Sequence, residues 1–491
     1  MKIGARYKDP RNFLLWISLA ILIRGCILSF FIHESHQLTP ERIVGGIAVK
    51  QNDYYMFFGP VEEYFKSGSF SLDGIKPFAG RIPGYSTPYF ILRMAFSEPT
   101  AVAILIIFQF LLSAVCVYLL SLMALRQFRH ARYFYLTFFI SAVSMYTALY
   151  DIFTLAESFS VSAITLCLYF VFRFLDTEKK RFLVFAGIFL GWAVFLRLFL
   201  GILIVLVPLL LFIYLWKKNN FKKAFWYVFL FLLPFCIFES AWVTRNFISL
   251  KKFVPLETSL DESYGNRGSY RSSALAVRRL IIAWGGEPGE FYDHSEGWWF
   301  REAEGKDADE YVFQPGVFRG NFTKDSLVYL KMLFNESISK ERTASEQDSL
   351  NLLAEKTADR FREGYVTKNF MSVYLLNPLK RARRLVFSNP GLAMPLPRYA
   401  EMSIFEKGIK FFYTALYFLI ISGACGAVLL MLLKRKFTFE WLLLLTFPAA
   451  IILTLTFFPL SIMENRYFLS AYPICILFVM YLLSLRYEKN Q

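Results

Sequence analysis

Histidine and accessible cysteine are what this chain has least of. It holds four histidines in 491 residues, and its six cysteines, Cys26, Cys116, Cys167, Cys236, Cys425 and Cys475, all fall inside apolar runs. That placement excludes a disulfide framework and the ligand spacing of a zinc site. His33 and His36 sit just beyond the first apolar run with no third ligand nearby, so they read as structural rather than metal-binding. Charge is scarce as well, at 19% of residues. The formal net charge is +16, yet no basic patch is interleaved with stacking aromatics in a soluble module, which sets nucleic acid aside. Internal repeats and low-complexity tracts are absent.

What is abundant is apolar surface. The chain is 56% hydrophobic and 19% aromatic with a positive mean hydropathy, too apolar for a soluble protein of this length. A bilayer-spanning helix needs roughly 20 mainly apolar residues, and about ten segments qualify. They lie near 13–32, 100–125, 133–150, 158–175, 182–196, 198–216, 224–242, 409–433, 439–460 and 468–485. The expected fold is therefore an all-α polytopic membrane protein with a small mixed extracytoplasmic domain. The basic stretch 1–11 precedes an apolar run without a small-residue cleavage site, which reads as a retained first helix rather than a cleaved signal peptide.

Basic clusters at 2–11, 126–132, 179–181, 217–223, 434–436 and 486–489 all fall on one side if every segment crosses, which makes both termini cytoplasmic. The same parity puts the loop 33–99, the connector 151–157, the polar block 245–407 and the turn 464–467 outside. The expected division is an N-terminal membrane module 1–244 with catalytic outer loops, an extracytoplasmic domain 245–407, and C-terminal membrane helices 408–491. The block includes a helix-like piece at 345–364 and a Gly/aromatic stretch at 284–299. The triplets Asn321-Phe322-Thr323 and Asn335-Glu336-Ser337 are outer-side glycosylation sequons by pattern.

The residues that could carry chemistry gather at the outer ends of these segments. Asp53, Tyr54 and Tyr55 open a stretch, 53–65, whose periodicity suits an amphipathic helix on the membrane surface. An aspartate in an aromatic, partly dry pocket can take the proton of an attacking hydroxyl or amine; the alternative is a helix N-cap. Arg81, ahead of Pro83, Gly84 and Tyr85, offers a phosphate fork before a turn, or else an interfacial loop with an aromatic anchor. Asp151 and Glu157 could orient an acceptor, hold a divalent cation or support Asp53, and Glu157 also suits the start of a helix. Glu239, near the outer end of a span, needs a partner. Arg197 lies between two apolar runs, and Arg24, inside a span, is expected to snorkel or to pair with an acid. Arg245 with Asn246, and Arg466 with Tyr467, stand where a lipid-phosphate leaving group needs positive charge, although interface anchoring would use the same residues.

The motifs also occur in a particular order. After the Asp-Tyr pair come Lys66-Ser67-Gly68-Ser69-Phe70 and Arg81-Ile82-Pro83-Gly84-Tyr85. Then follow Leu155-Ala156-Glu157-Ser158, Phe195-Leu196-Arg197, Trp242-Val243-Thr244-Arg245-Asn246 and Glu464-Asn465-Arg466-Tyr467 with Pro473. No single motif is specific, but the ordered set resembles the C-type superfamily of membrane glycosyltransferases. Within it the likeness is to the family 39 branch of protein O-mannosyltransferases and bacterial aminoarabinose transferases. The resemblance implies transfer of a hexosyl or pentosyl group from a polyprenyl-phosphate donor, on the outer face, to a protein, lipid or glycan acceptor. By position, Asp53 matches the family's first-loop catalytic acid, Asp151 and Glu157 its second-loop acids, and Arg466 with Tyr467 the late element near the donor phosphate. Asn52 stands where many members have a second acid, which weakens a metal site in the first loop. Asp53 would be the general base, with Arg81, Arg245, Arg466 and Tyr467 on the donor phosphate and Tyr54 and Tyr85 beside the substrate. No cofactor is implied beyond the donor itself, and a divalent cation is left open. A bacterial inner membrane is the expected location. The rival reading is a transporter or flippase of polyprenyl-linked sugars, which would want charge in mid-span and broken half-helices. Here most charge sits at the ends of the spans.

Overall fold

A computed structural model describes residues 10–257, 272–286, 317–318, 322–339, 341–435, 437–458 and 464–488. The stretch 287–299 of the Gly/aromatic segment, Asn321 and the basic residues before position 10 lie outside them. Apolar runs longer than a bilayer is thick can satisfy their backbone polar groups only as helices, and they do so here. The membrane part comprises α1 (Pro10–Leu38), α4 (Glu98–Phe128), α5 (Ala131–Val143) bent into α6 (Met145–Ala148), α7 (Glu157–Thr177) and α8 (Lys180–Leu196). It continues with α9 (Leu203–Lys218), α10 (Phe221–Leu250), α15 (Ile404–Lys434), α16 (Phe439–Phe457) and α17 (Tyr472–Glu488). Among the described residues eight helices are long and apolar enough to cross a membrane, and a ninth span results if the pair bent by 52° after Val143 counts as one.

Helix α8, with 17 residues, is short for a span, but its ends show its course. It starts beside Glu178, whose carboxylate pairs with Lys218 at 2.9 Å and Lys223 at 3.7 Å. It ends at Arg197, which pairs with Glu157 at the opposite end of α7. Its rise of about 26 Å therefore carries it from one end of the bundle to the other. All ten expected segments are mainly helical over their described residues. Arg126 pairs with Asp176 at 2.8 Å and Glu440 at 3.7 Å, so the turns 126–132, 177–180, 217–222 and 434–439 share one end, as the charge pattern requires.

The core is continuous through the bundle, and α7 is its most enclosed member, with Ser158, Ser160, Ser162 and Thr165 all buried. Small hydroxyl residues let helices approach closely, and the O–H groups of Ser158, Ser160 and Thr165 bond within the bundle. At the other end, two loops are stitched together by backbone. A hairpin of two-residue strands, β1 (Ile43–Val44) and β2 (Ala48–Val49), turns through Gly45 and Gly46, both left-handed, and His36 Nε2 lies 2.9 Å from the Gly46 carbonyl. Val49 then exchanges hydrogen bonds with the 151–157 connector: its N–H donates to Ile152 O at 2.9 Å and its carbonyl accepts from Thr154 N at 3.1 Å. That pairing puts the start of α2 (Tyr54–Ser67) beside the start of α7. The chain returns through α3 (Ser86–Arg93) into α4.

In the block 245–407 the regular structure among the described residues is helical, not mixed as expected. Helices α11 (Ser272–Trp284), α12 (Lys324–Ile338) and α13 (Ala344–Lys368) enclose an apolar core of their own, with Leu280, Leu330 and Phe334 at its centre. Thr343 and Glu346 form the capping box that starts α13, which covers the helix-like piece expected at 345–364. Helix α14 (Asn377–Phe387) connects this unit to α15.

Candidate active site

Three carboxylates and three guanidiniums converge where the loops meet. Asp53 occupies the N-cap position of α2, but its side chain makes no capping hydrogen bond. Its oxygens instead face Arg466 at 3.3 Å and Arg81 at 3.8 Å. Glu157, the first residue of α7, pairs with Arg197 and lies 3.5 Å from Arg466. Glu464 grips Arg466 through two contacts, 2.5 and 3.1 Å. Arg466 thus touches all three acids, its planar fork spreading donors from Nε and Nη2 among them. Around them stand the rings of Phe57, close to Arg81 and Arg197, and Tyr467, close to Arg197 and Arg466.

The local chemistry of each segment explains the convergence. Arg197 sits at the end of α8 in extended conformation, where the chain breaks before a 3₁₀ turn. The Arg81 loop is pressed against that break: Gly84 N donates to Phe195 O at 3.0 Å and Trp192 Nε1 donates to Gly84 O at 3.1 Å. A β-carbon at Gly84 would lie 2.1 Å from Phe195 O, so only glycine permits the approach. Arg466 is carried by the 3₁₀ turn Asn465–Ala471, which Tyr146 and Tyr417 secure through Asn465 at 2.6 and 2.8 Å. Ser160 and Ser470 close the turn onto α7 at 2.6 Å.

Exposure separates the roles. The Asp53 side chain is 21% exposed and that of Glu157 only 3%, so Asp53 can meet a ligand and Glu157 can only hold arginines. Burial works to raise the pKa of Asp53, but Arg81, Arg466 and Arg197 outweigh it and hold the carboxyl below its ordinary value. Glu464 moves the other way: burial pushes it up, against Arg466 and with help from Glu157 and Asp53. Glu257, whose carboxyl receives the Ile82 N–H and faces Arg81 and Arg197, is likewise raised by burial. Glu464 and Glu257 thus hold their charge less firmly than Asp53 does. Three guanidiniums converging beside a partly exposed carboxylate can receive an anionic ligand.

Not every expected residue joins it. Asp53, Glu157, Arg81, Arg466 and Tyr467 are brought together. Asp151 is not among them: it is wholly buried, receives Arg24 at 2.8 and 3.2 Å, and accepts from Ser158 at 2.5 Å. Arg24 does pair with an acid, as expected. Arg245 donates to the carbonyls of Phe78 at 2.7 Å and Phe70 at 3.2 Å, and so clamps the first loop rather than reaching the cluster. The Tyr54 hydroxyl is committed to Glu98 at 2.6 Å. Tyr85 is fully buried among Phe57, Phe58 and Phe159, with its hydroxyl on Gln109. Glu239 finds its partner in the Leu256 N–H at 2.8 Å. Sequence reasoning named Arg197 and quoted Glu464 within a motif without assigning either to the site, and it passed over Glu257. The break between two apolar runs marks Arg197, and spacing from Arg466 marks Glu464, but no local signal marks Glu257.

The acids do not suit a divalent cation. Each is already bound by guanidiniums, which would repel a metal, and among the described residues no group of three His, Cys, Asp or Glu side chains could hold one.

No protein-family model matches the sequence, and no curated protein is similar enough in sequence to match. Among solved structures the chain is similar to the archaeal oligosaccharyltransferase AglB from Archaeoglobus fulgidus, in complex with an inhibitory peptide and a dolichol-phosphate. The identity is 12% and the TM-score 0.46, over 98% of this chain and 51% of that one. An apo oligosaccharyltransferase from the same organism gives 14% and 0.40 over the same shares. ArnT from Cupriavidus metallidurans gives 12% and 0.32, over 94% of this chain and 77% of that one. The chain spans about half the length of the oligosaccharyltransferases it matches. These neighbours are C-type membrane glycosyltransferases, the superfamily that the ordered motifs resemble. At such identities and TM-scores, the functional reading rests on the site itself.

Proposed function

We propose that the protein is a membrane glycosyltransferase that moves a sugar from a polyprenyl-phosphate donor to a protein, lipid or glycan acceptor on the outer face of the membrane. The observation that carries the reading is Asp53, partly exposed and held between Arg81 and Arg466 where three guanidiniums converge. The donor phosphate docks on Arg81, Arg197 and Arg466 with the sugar toward Asp53. As the phosphate takes its share of those donors, Asp53 loses cationic neighbours and gains basicity. The acceptor O–H or N–H then gives its proton to the Asp53 carboxylate while its lone pair attacks the anomeric carbon. The bond from that carbon to the phosphate oxygen breaks, and its electron pair stays on the phosphate, where the arginines stabilise the charge. Glu157 keeps Arg197 and Arg466 aimed. Asp151 acts from a distance, by fixing the connector from which Glu157 projects.

The test is transfer of labelled sugar from synthetic polyprenyl-phosphate donors to a membrane extract by the full chain in proteoliposomes. Asp53→Asn should lower transfer roughly 100- to 10,000-fold while leaving donor binding intact. Near-normal transfer by the variant would remove Asp53 from the role. Donor crossing the bilayer with no acceptor labelled would replace the enzyme by a transporter.

A further inference from the structure

Outside the cluster, one exposed surface that the transfer reaction does not use is the segment that leads into and through α14. A π-helical turn, Ser372–Leu376, runs straight into the helix, and Phe370, Met371, Leu375 and Leu379 along it are 46–63% exposed. Lys380 and Arg383 follow on the exposed side. The opposite side is fastened: Asn377 and Arg381 donate to the carbonyls of Ala283 and Ile282 in α11, and Arg381 also donates to Thr456 O at 3.1 Å. The Tyr417 hydroxyl donates to Val386 O at 2.6 Å.

Those last two anchors give the height of α14 in the membrane. Tyr417 lies about 17 residues up α15 from Lys434, and Thr456 about 17 residues up α16 from Phe439, roughly 26 Å in either case. Both starting points belong to the end of the bundle where the basic turns meet. Two independent spans thus agree that α14 sits near the far edge of a hydrocarbon core about 30 Å thick. Both anchors, the Arg381 side chain and the Val386 carbonyl, hold the C-terminal half of α14 at the level of the span ends. At that depth water does not cover the exposed apolar side chains, and lipid does.

We propose that residues 370–387 form a membrane-interface helix, with its apolar N-terminal half in the acyl boundary of the leaflet and Lys380 and Arg383 on the phosphates of anionic phospholipids. This surface is independent of the transfer reaction. Each basic residue at such a surface strengthens the preference for anionic over neutral lipid about fivefold.

The test uses the full chain in nanodiscs of phosphatidylcholine alone or with phosphatidylglycerol. On the unaltered protein, acylation of Lys380 by a membrane-impermeant amine reagent is read by mass spectrometry and normalised to Lys356, exposed on α13. It should slow several-fold when phosphatidylglycerol is present. In parallel, a dye on Met371→Cys, in a background without the six native cysteines, should be quenched by brominated lipids of both kinds, more strongly by brominated phosphatidylglycerol. Lys380→Gln with Arg383→Gln should level the two. Equal Lys380 rates in both discs would overturn the anionic-lipid contact. Quenching of the dye by aqueous iodide, or by neither agent, would overturn the interfacial position, since water, another segment or a second copy would then cover the face. If the cysteine-free background fails to fold, the acylation measurement decides alone.

Discussion

Asp151→Asn is the substitution whose consequence the structure defines best. Asp151 and Arg24 are both 1% exposed at the side chain, and the guanidinium meets the carboxylate through two nitrogens. Arg24 also donates to Thr147 Oγ1 and Ser141 O, both at 3.3 Å, and Ser158 donates to the second Asp151 oxygen. The asparagine keeps the volume and an acceptor for Ser158 but removes the countercharge, leaving a permanent cation in a dry bundle. Loss of one partner from a buried pair destabilises by about 3–5 kcal/mol. The hydrogen bonds that survive put Asp151→Asn at the lower end, about 3 kcal/mol, and the cavity left by Asp151→Ala puts that variant near the upper end. Arg24→Met combined with Asp151→Leu removes both charges and should recover most of the loss, because a matched apolar pair needs no desolvation. The measurement is reversible unfolding in mixed micelles with rising SDS, run as a double-variant cycle. A loss below about 1 kcal/mol for Asp151→Asn, or a double variant no better than the single ones, would refute the buried-strut account.

The remaining predictions concern the cluster. Gly84→Ala, which would set a β-carbon 2.1 Å from Phe195 O, should push the Arg81 loop off α8, cost about 1–3 kcal/mol in the same unfolding assay and depress transfer out of proportion to stability. Arg466→Lys replaces a fork that touches three acids by a single ammonium, so transfer should fall at least about tenfold even where the fold is retained. Asp53 titrates below its ordinary 3.8, so its ion pairs contribute stability that is present above that pH and is lost as the pH falls through the folded-state value. Acid unfolding of Arg466→Gln should therefore begin at higher pH than that of the wild type. Coincident acid limbs in the two proteins would show that Arg466 does not hold Asp53 ionised.

Much of the site was legible in the residue order. A carboxylate just past a span, an arginine before a Pro-Gly turn and an Arg-Tyr element before the last span are local features, and four of the five clustered residues from that reading stand at helix starts or breaks. Asp53 illustrates the limit. Its residue type fits an N-cap equally well, and it does occupy that position, but the structure leaves its carboxylate to the arginines. Asp151 and Glu157, six positions apart on one connector, looked alike in sequence and separate completely in space. One turns inward to Arg24 and the other toward Arg197 and Arg466.

The sequence by itself determined that the chain is helical and membrane-spanning and which ends of the spans lie together. Hydrophobic length and the position of lysines and arginines are properties of short stretches, and a bilayer leaves helices as the only way to pair the backbone within such stretches. The tertiary structure alone decided which acids meet which arginines. Asp53 and Arg466 are joined by the Val49 exchange with the connector, the Gly84 contact with α8 and the tyrosine-held turn at Asn465, none of which lies within one segment. Charges at the same depth are equivalent until packing chooses their neighbours, and that choice depends on side chains hundreds of residues apart.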